Sequence, residues 1–189
     1  LVDEWAADVT YSGTQKCLSA PPGISLITFS DKAAARVQSR NTPVQSWFLD
    51  LSLLMAYWQG EGARTYHHTA PVNAMYGLHE ALLMVKEEGI ENAWQRHRDM
   101  HGLLAEGVRS LGLDFIVAAE CRLPQLNLVR CPEGLDEAAV RRRLLEEYNL
   151  EIGAGLGAFT GKVWRIGLMG YSARRENVEL CISALRSCI

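Results

Sequence analysis

Apolar positions fall into two rhythms along this chain, and the change between them divides it. Up to residue 68 the signals are short. Asp8 to Ser12 and Ile24 to Phe29 alternate like strands. Between them lies a turn containing Lys16 and the stiff run Pro21-Pro22-Gly23. Ser30 is placed to cap a helix from Asp31 to Arg40, and Asp50 to cap another from Leu51 to Trp58 that Gly60-Glu61-Gly62 breaks. From Thr69 to Gly89 the period becomes 3.6, with Val72, Met75, Tyr76, His79, Leu82 and Val85 as its stripe. A second helix, Ile90 to Ser110, puts Trp94, His97, His101, Leu104 and Val108 on one face and stops at Gly112. Beyond it, Phe115 to Val117, Leu126 to Val129 and Val163 to Leu168 read as strands, and Asp136 to Tyr148 and Asn177 to Cys188 as helices. The order β, β, α, β, α predicts a two-layer α/β unit.

Composition excludes several function classes. A net charge of −3 provides no basic face for nucleic acid. The longest apolar run, Leu51 with Leu53 to Tyr57, falls far short of the roughly 20 residues that cross a bilayer. Cys17, Cys121, Cys131, Cys181 and Cys188 are odd in number and scattered, which argues against a disulfide framework or zinc knuckle and makes a reducing cytoplasm the default. The neighbours His67 and His68 diverge too much for a metal pair, so no metal site is expected. Residues 153–162 are glycine-rich but fail the phosphate-loop pattern: Leu156 and Val163 stand where Gly and Ser or Thr are required. These glycines read as a flexible segment at a substrate mouth.

Tyr11-Ser12-Gly13-Thr14-Gln15-Lys16-Cys17-Leu18-Ser19-Ala20-Pro21-Pro22-Gly23 resembles the cofactor-lysine segment of the fold-type I, class V aminotransferases, most closely the alanine–glyoxylate and serine–pyruvate type. The resemblance continues through Tyr66-His67-His68-Thr69-Ala70-Pro71-Val72, Arg122-Leu123-Pro124, Glu151 to Gly157 and Thr160 to Gly170. It implies a pyridoxal 5′-phosphate enzyme with an α/β fold: an incomplete large-domain segment over residues 1–90 and a small two-layer C-terminal domain over 91–189. The boundary is expected near Glu88 to Asn92.

The same resemblance assigns roles. Lys16 is the Schiff-base lysine and later the general base, because an amine on a long stem can first hold the cofactor and then move a proton. The plain alternative is an exposed loop lysine. Gln15 lies against the cofactor, or is a simple loop amide. Tyr66 and Thr69, two hydroxyls before a helix start, reach the phosphate of the neighbouring subunit's cofactor in a homodimer with shared sites; otherwise Tyr66 packs and Thr69 caps. Arg165, a charge in an apolar strand, binds the α-carboxylate of the amino-acid and keto-acid substrates, or else forms a buried salt bridge. Arg122 reads as structural, and His67 and His68 as structural or interfacial.

The implied reaction moves an amino group from alanine or serine to glyoxylate or pyruvate. Two alternatives stay open: a ureidoglycine–glyoxylate aminotransferase, and a non-catalytic dimerisation module built on the helix faces around Met75 to Val85. Desulfurase or lyase chemistry fits less well, since those relatives use a cysteine on a loop near the C-terminal arginine and none lies between Cys131 and Cys181. The aspartate that pairs with the pyridine nitrogen and the aromatic that stacks on the ring have no counterpart here, so the chain reads as part of a longer polypeptide, and peroxisomal or mitochondrial addresses stay open. The 189-residue chain alone is expected neither to hold the cofactor tightly nor to transaminate. Mixing it with pyridoxal phosphate tests this; a stable visible absorbance band that disappears in Lys16→Ala would contradict it.

Overall fold

The computed structural model describes residues 1–59 and 65–189, so the expected break at Gly60-Glu61-Gly62 lies outside the described residues. The chain forms two units: Leu1–Thr14 with Pro21–Leu78, and Gln15–Ala20 with His79–Ile189.

In the first unit β1 (Val9–Gly13) pairs antiparallel with β2 (Ser25–Phe29), Tyr11 opposite Ile27. The lysine segment between them is a long excursion of residues 14–24, not a tight turn. Helix α1 (Asp31–Gln38) starts where expected: the Ser30 hydroxyl accepts from the Ala33 amide at 3.2 Å and donates to Asp8 at 2.9 Å. Lys32 donates to the other Asp8 oxygen at 2.6 Å, and this bond, with that from Ser30, holds the Asp8 carboxyl below its ordinary value. Helix α2 (Leu51–Gln59) opens on Asp50, whose carboxylate accepts from the Ser52 amide at 2.9 Å. Little of this unit is interior. Met55 and Leu78 are its buried large apolar side chains, while Trp47, Phe48, Leu49, Trp58 and Tyr76 are exposed.

Helix α3 (Val72–Glu88) begins in the first unit and ends in the second. Its apolar stripe is largely uncovered. Val72, Met75, Tyr76 and Leu82 are exposed, and the buried positions are Leu78 and Ala81. Periodicity located the helix, but two apolar faces compete on it and the bulkier one is uncovered.

The second unit has a true core. Helix α4 (Ile90–Ser110) follows Gly89, whose φ of +83° turns the chain. It ends in a Schellman motif: Leu113 N–H to Val108 C=O at 3.1 Å, Gly112 N–H to Arg109 C=O at 2.9 Å, and φ +72° at Gly112. Strands β3 (Leu126–Arg130), β4 (Gly153–Ala154) and β5 (Val163–Gly167) form an antiparallel sheet in the order β3-β5-β4. Helix α5 (Glu137–Tyr148) is capped by Asp136, which accepts from the Ala138 and Ala139 amides at 3.0 and 3.1 Å. Helix α6 (Arg175–Cys188) closes the chain. Val129, Trp164 and Ile166 point from the sheet into a core shared with Leu104, Val108, Val140, Leu144, Val178 and Leu185 of the helices. The Trp164 indole donates to the Glu137 carbonyl at 3.3 Å. Alternation on β5 then turns Arg165 toward the other face, opposite Leu128 and Gly153.

Two further expectations are corrected. Phe115 to Val117 makes a single bridge to Val129, not a strand. The glycine segment is not a free loop. Gly153 is paired in β4, and a Cβ on Gly155 would lie 2.0 Å from the Phe159 carbonyl oxygen, so that glycine serves close backbone packing. Among the described residues no helix is long and apolar enough to cross a membrane.

Removing the fully buried Trp164 side chain (Trp164→Ala) is expected to cost about 3–5 kcal/mol of stability, and removing the α5 cap (Asp136→Ala) about 1 kcal/mol. Urea denaturation of the two variants checks the ranking; equal losses would contradict the assigned core.

Candidate active site

The lysine segment is held at its base by Thr14. This residue is fully buried, and its hydroxyl donates to the Pro21 carbonyl at 2.7 Å, fixing where the chain leaves and returns. Gln15, Lys16 and Cys17 are exposed beyond it. The Ser19 amide donates to the Lys16 carbonyl at 2.9 Å, closing a turn in which Ser19 adopts φ +55°, unusual for a residue with a side chain. Lys16 makes no ion pair among the described residues.

Arg165 also belongs to the second unit. It is half-buried, and its Nε–H donates to the Ala154 carbonyl at 2.6 Å. Among the described residues no carboxylate lies within 4.0 Å of the guanidinium, and its Nη groups make no hydrogen bond. A Cβ at Gly153 would sit 3.3 Å from Nε and Nη2, so a glycine there leaves the guanidinium its space.

Sequence reasoning missed a polar cluster close to the lysine segment. The turn Gly170–Ser172 follows β5. The Tyr171 amide donates to the Ser19 hydroxyl at 2.8 Å, and Gly170 is gripped by Arg96 and His97 of α4. Arg96 is paired in turn with Glu88 through bonds of 2.5 and 2.8 Å. The hydrogen bond from Arg96 holds the Glu88 carboxyl below its ordinary value, and the Glu88 bond raises the guanidinium. In the sequence His97 is one of five positions on a single face of α4. The available signal was an ionisable side chain on an apolar stripe beside an Arg neighbour.

Tyr66 and Thr69 lie in the first unit, just before α3, and both are exposed. Their hydroxyls hydrogen-bond each other, so two donors converge ahead of a helix N-terminus. An aromatic knot holds this segment. The His67 ring stacks on Trp47 at 4.0 Å, donates from Nε2 to the Trp47 carbonyl at 3.2 Å, and meets His68 Nδ1 at 2.8 Å. Arg122 donates to the Val117 carbonyl at 2.8 Å and lies 4.3 Å above the Phe115 ring. Two surface hollows of about 340 and 380 Å³ lie along Arg36–Thr42 and between α4 and α6, and neither is lined by a predicted site residue. All five cysteines are free; burial pushes the Cys181 thiol up to about 12.

A family profile described as "Aminotransferase class-V" matches residues 2–180. The alanine–glyoxylate aminotransferase of Rattus norvegicus is 44% identical over all of this chain and 46% of its own length. The (S)-ureidoglycine–glyoxylate transaminase of Bacillus subtilis is 36% identical, covering all of this chain and 49% of its own. The crystal structure of an alanine–glyoxylate aminotransferase from Nostoc sp. superposes with a TM-score of 0.93 at 46% identity, over 99% of this chain and 49% of that one. The chain thus spans about half the length of the curated relatives it matches, and its fold is that of the corresponding part of a fold-type I aminotransferase.

The Glu88–Arg96 pair predicts a pH dependence. A carboxyl whose folded value is depressed adds stability above its ordinary value of 4.5 and loses it as pH falls through the lowered one. Denaturant titrations of wild type and Glu88→Gln should differ most above about pH 5 and converge in more acidic buffer. A difference unchanged from pH 7 to about pH 3 would contradict this.

Proposed function

We propose, for a chain that belongs to the class-V aminotransferase family, that it carries the lysine-bearing part of a pyridoxal-phosphate enzyme moving an amino group from alanine or serine to glyoxylate or pyruvate. The observation that carries the reading is Arg165. A guanidinium half-buried in an apolar strand, with one carbonyl contact and no carboxylate among the described residues, is set up for an incoming carboxylate. Every α-amino acid and α-keto acid presents one.

The residues fit the cofactor on their own chemistry. Lys16 is an exposed amine on a pinned turn, and the paired hydroxyls of Tyr66 and Thr69 form a donor set suited to a phosphate. When bound, pyridoxal phosphate supplies an aldehyde carbon that an amine can engage and a ring that withdraws electrons from the substrate α-carbon. Lys16 would hold the cofactor, and its amine, when free, would take the proton from the substrate α-carbon. Gln15 would contact the cofactor. Arg165 fixes the α-carboxylate and with it the direction of the α C–H bond. Tyr66 and Thr69 serve the cofactor of the other subunit in a homodimer. The division into a cofactor-binding segment, 1–90, and a small domain, 91–189, is part of the same reading. So is a reducing compartment, the cytoplasm by default, in keeping with five unpaired thiols.

A second reading has its own support: the 36% identical ureidoglycine–glyoxylate transaminase differs in its amino donor. A panel of amino donors offered to the polypeptide that carries this chain separates the two.

In that polypeptide, Lys16→Ala should lower turnover roughly 10²–10⁴-fold, the range of a lost general base. Arg165→Lys should raise KM for amino and keto acids roughly 10–100-fold, as expected when the second charge-assisted hydrogen bond of the guanidinium fork is lost while the charge is kept. Steady-state kinetics with each substrate varied in turn checks both. Full turnover in Lys16→Ala would end the proposal.

A further inference from the structure

The polar cluster at the end of β5 has no role in the reading above, yet it ends on the backbone of the lysine turn. Gly170 is held on three sides. Its N–H donates to His97 Nε2 at 3.0 Å, and His97 Nδ1–H donates to the Ala93 carbonyl at 2.6 Å, which fixes the tautomer and the ring. Its C=O accepts from Arg96 Nη1 at 2.7 Å, and the same nitrogen reaches the Ala173 carbonyl at 3.0 Å. The third side faces the lysine segment: a Cβ on Gly170 would lie 2.2 Å from the Ser19 hydroxyl and 2.4 Å from the Cys17 carbonyl oxygen. The φ of +56° at Gly170 also disfavours any side chain.

The path is continuous. Glu88 pairs with Arg96, Arg96 and His97 hold Gly170, the adjoining Tyr171 amide bonds the Ser19 hydroxyl, and the Ser19 amide bonds the Lys16 carbonyl. Turns that serve only to reverse the chain look different here. Gly134 and Gly161 also have positive φ, but nothing lies within 4 Å of where a Cβ would be. Gly170 sits five residues beyond Arg165 and bears directly on the turn that carries Lys16.

From this we infer that Arg96, His97 and Gly170 are positioning residues. Through Ser19 they set the Lys16 turn against the end of the strand that carries Arg165, so that amine and guanidinium are held in register. The inference rests on the reading that Lys16 holds the cofactor. The magnitude follows from geometry, because displacing a reacting group by about 1 Å can cost roughly 100-fold in rate.

The test uses Gly170→Ala, Ser19→Ala, His97→Leu and His97→Gln in the polypeptide that carries this chain. Deuterium uptake in the cofactor-free protein reads the turn itself. Gly170→Ala and His97→Leu should speed exchange in residues 15–20 about 10-fold or more, with α5 unchanged. In the cofactor-loaded protein they should move the pH midpoint of the visible band and lower kcat roughly 10–100-fold, with KM within a factor of about two. His97→Gln keeps an acceptor for the Gly170 amide and should restore most of the loss. If Gly170→Ala does not fold, Ser19→Ala decides, since Ser19 is exposed and outside the core. Wild-type exchange in residues 15–20 together with a wild-type band midpoint, in a folded Gly170→Ala or Ser19→Ala protein, would overturn the inference. A band that survives in Lys16→Ala would instead sink the functional reading beneath it.

Discussion

Arg165 lies between Trp164 and Ile166, two buried side chains, and among the described residues its guanidinium makes a single hydrogen bond, to the Ala154 carbonyl. A charge in such surroundings is costly unless something completes it. Alternation along β5 is what exposes the guanidinium at all. Its neighbours are drawn into the helical core, so it must face away from that core, toward Leu128 and the space left by Gly153. The core of the second unit and the candidate carboxylate site are thus two faces of one strand. Anything that loosens Trp164 also loosens the arginine.

The lysine turn has a different support. Within the first unit Thr14 bonds the Pro21 carbonyl, and within the second Ser19 and Cys17 meet the turn that follows β5. Each polar group of Gly170 is matched, and the charge on Arg96 is neutralised by Glu88 before the guanidinium reaches the two carbonyls. A satisfied network of this kind is stiff, and stiffness around the Lys16 turn is what the role proposed for that amine requires.

Much of this was legible in the sequence because local chemistry specified it. Ser30 and Asp136 cap their helices, Gly112 ends α4, and the strands β1, β2, β3 and β5 follow their alternation. What failed was information held elsewhere in the chain. Phe115 to Val117 has strand-like side chains but only one bridging partner, and Val72, Met75, Tyr76 and Leu82 mark a helix without saying which face is covered. The glycines at 153 and 155 carried an ambiguous signal, since composition cannot tell a flexible loop from close packing against Arg165 and Phe159. Of the candidate site, the lysine segment and the arginine strand stood out as motifs. The strut joining Glu88, Arg96 and His97 to Gly170 did not, because its members are up to 82 residues apart and meet only after folding.

The candidate site depends on which amine engages the cofactor. Loading the polypeptide that carries this chain with pyridoxal phosphate, reducing it with borohydride and mapping the peptides by mass spectrometry reads this directly. A stable phosphopyridoxyl adduct is expected on Lys16. An adduct on Lys32, Lys86 or Lys162, or none within this chain, would contradict it.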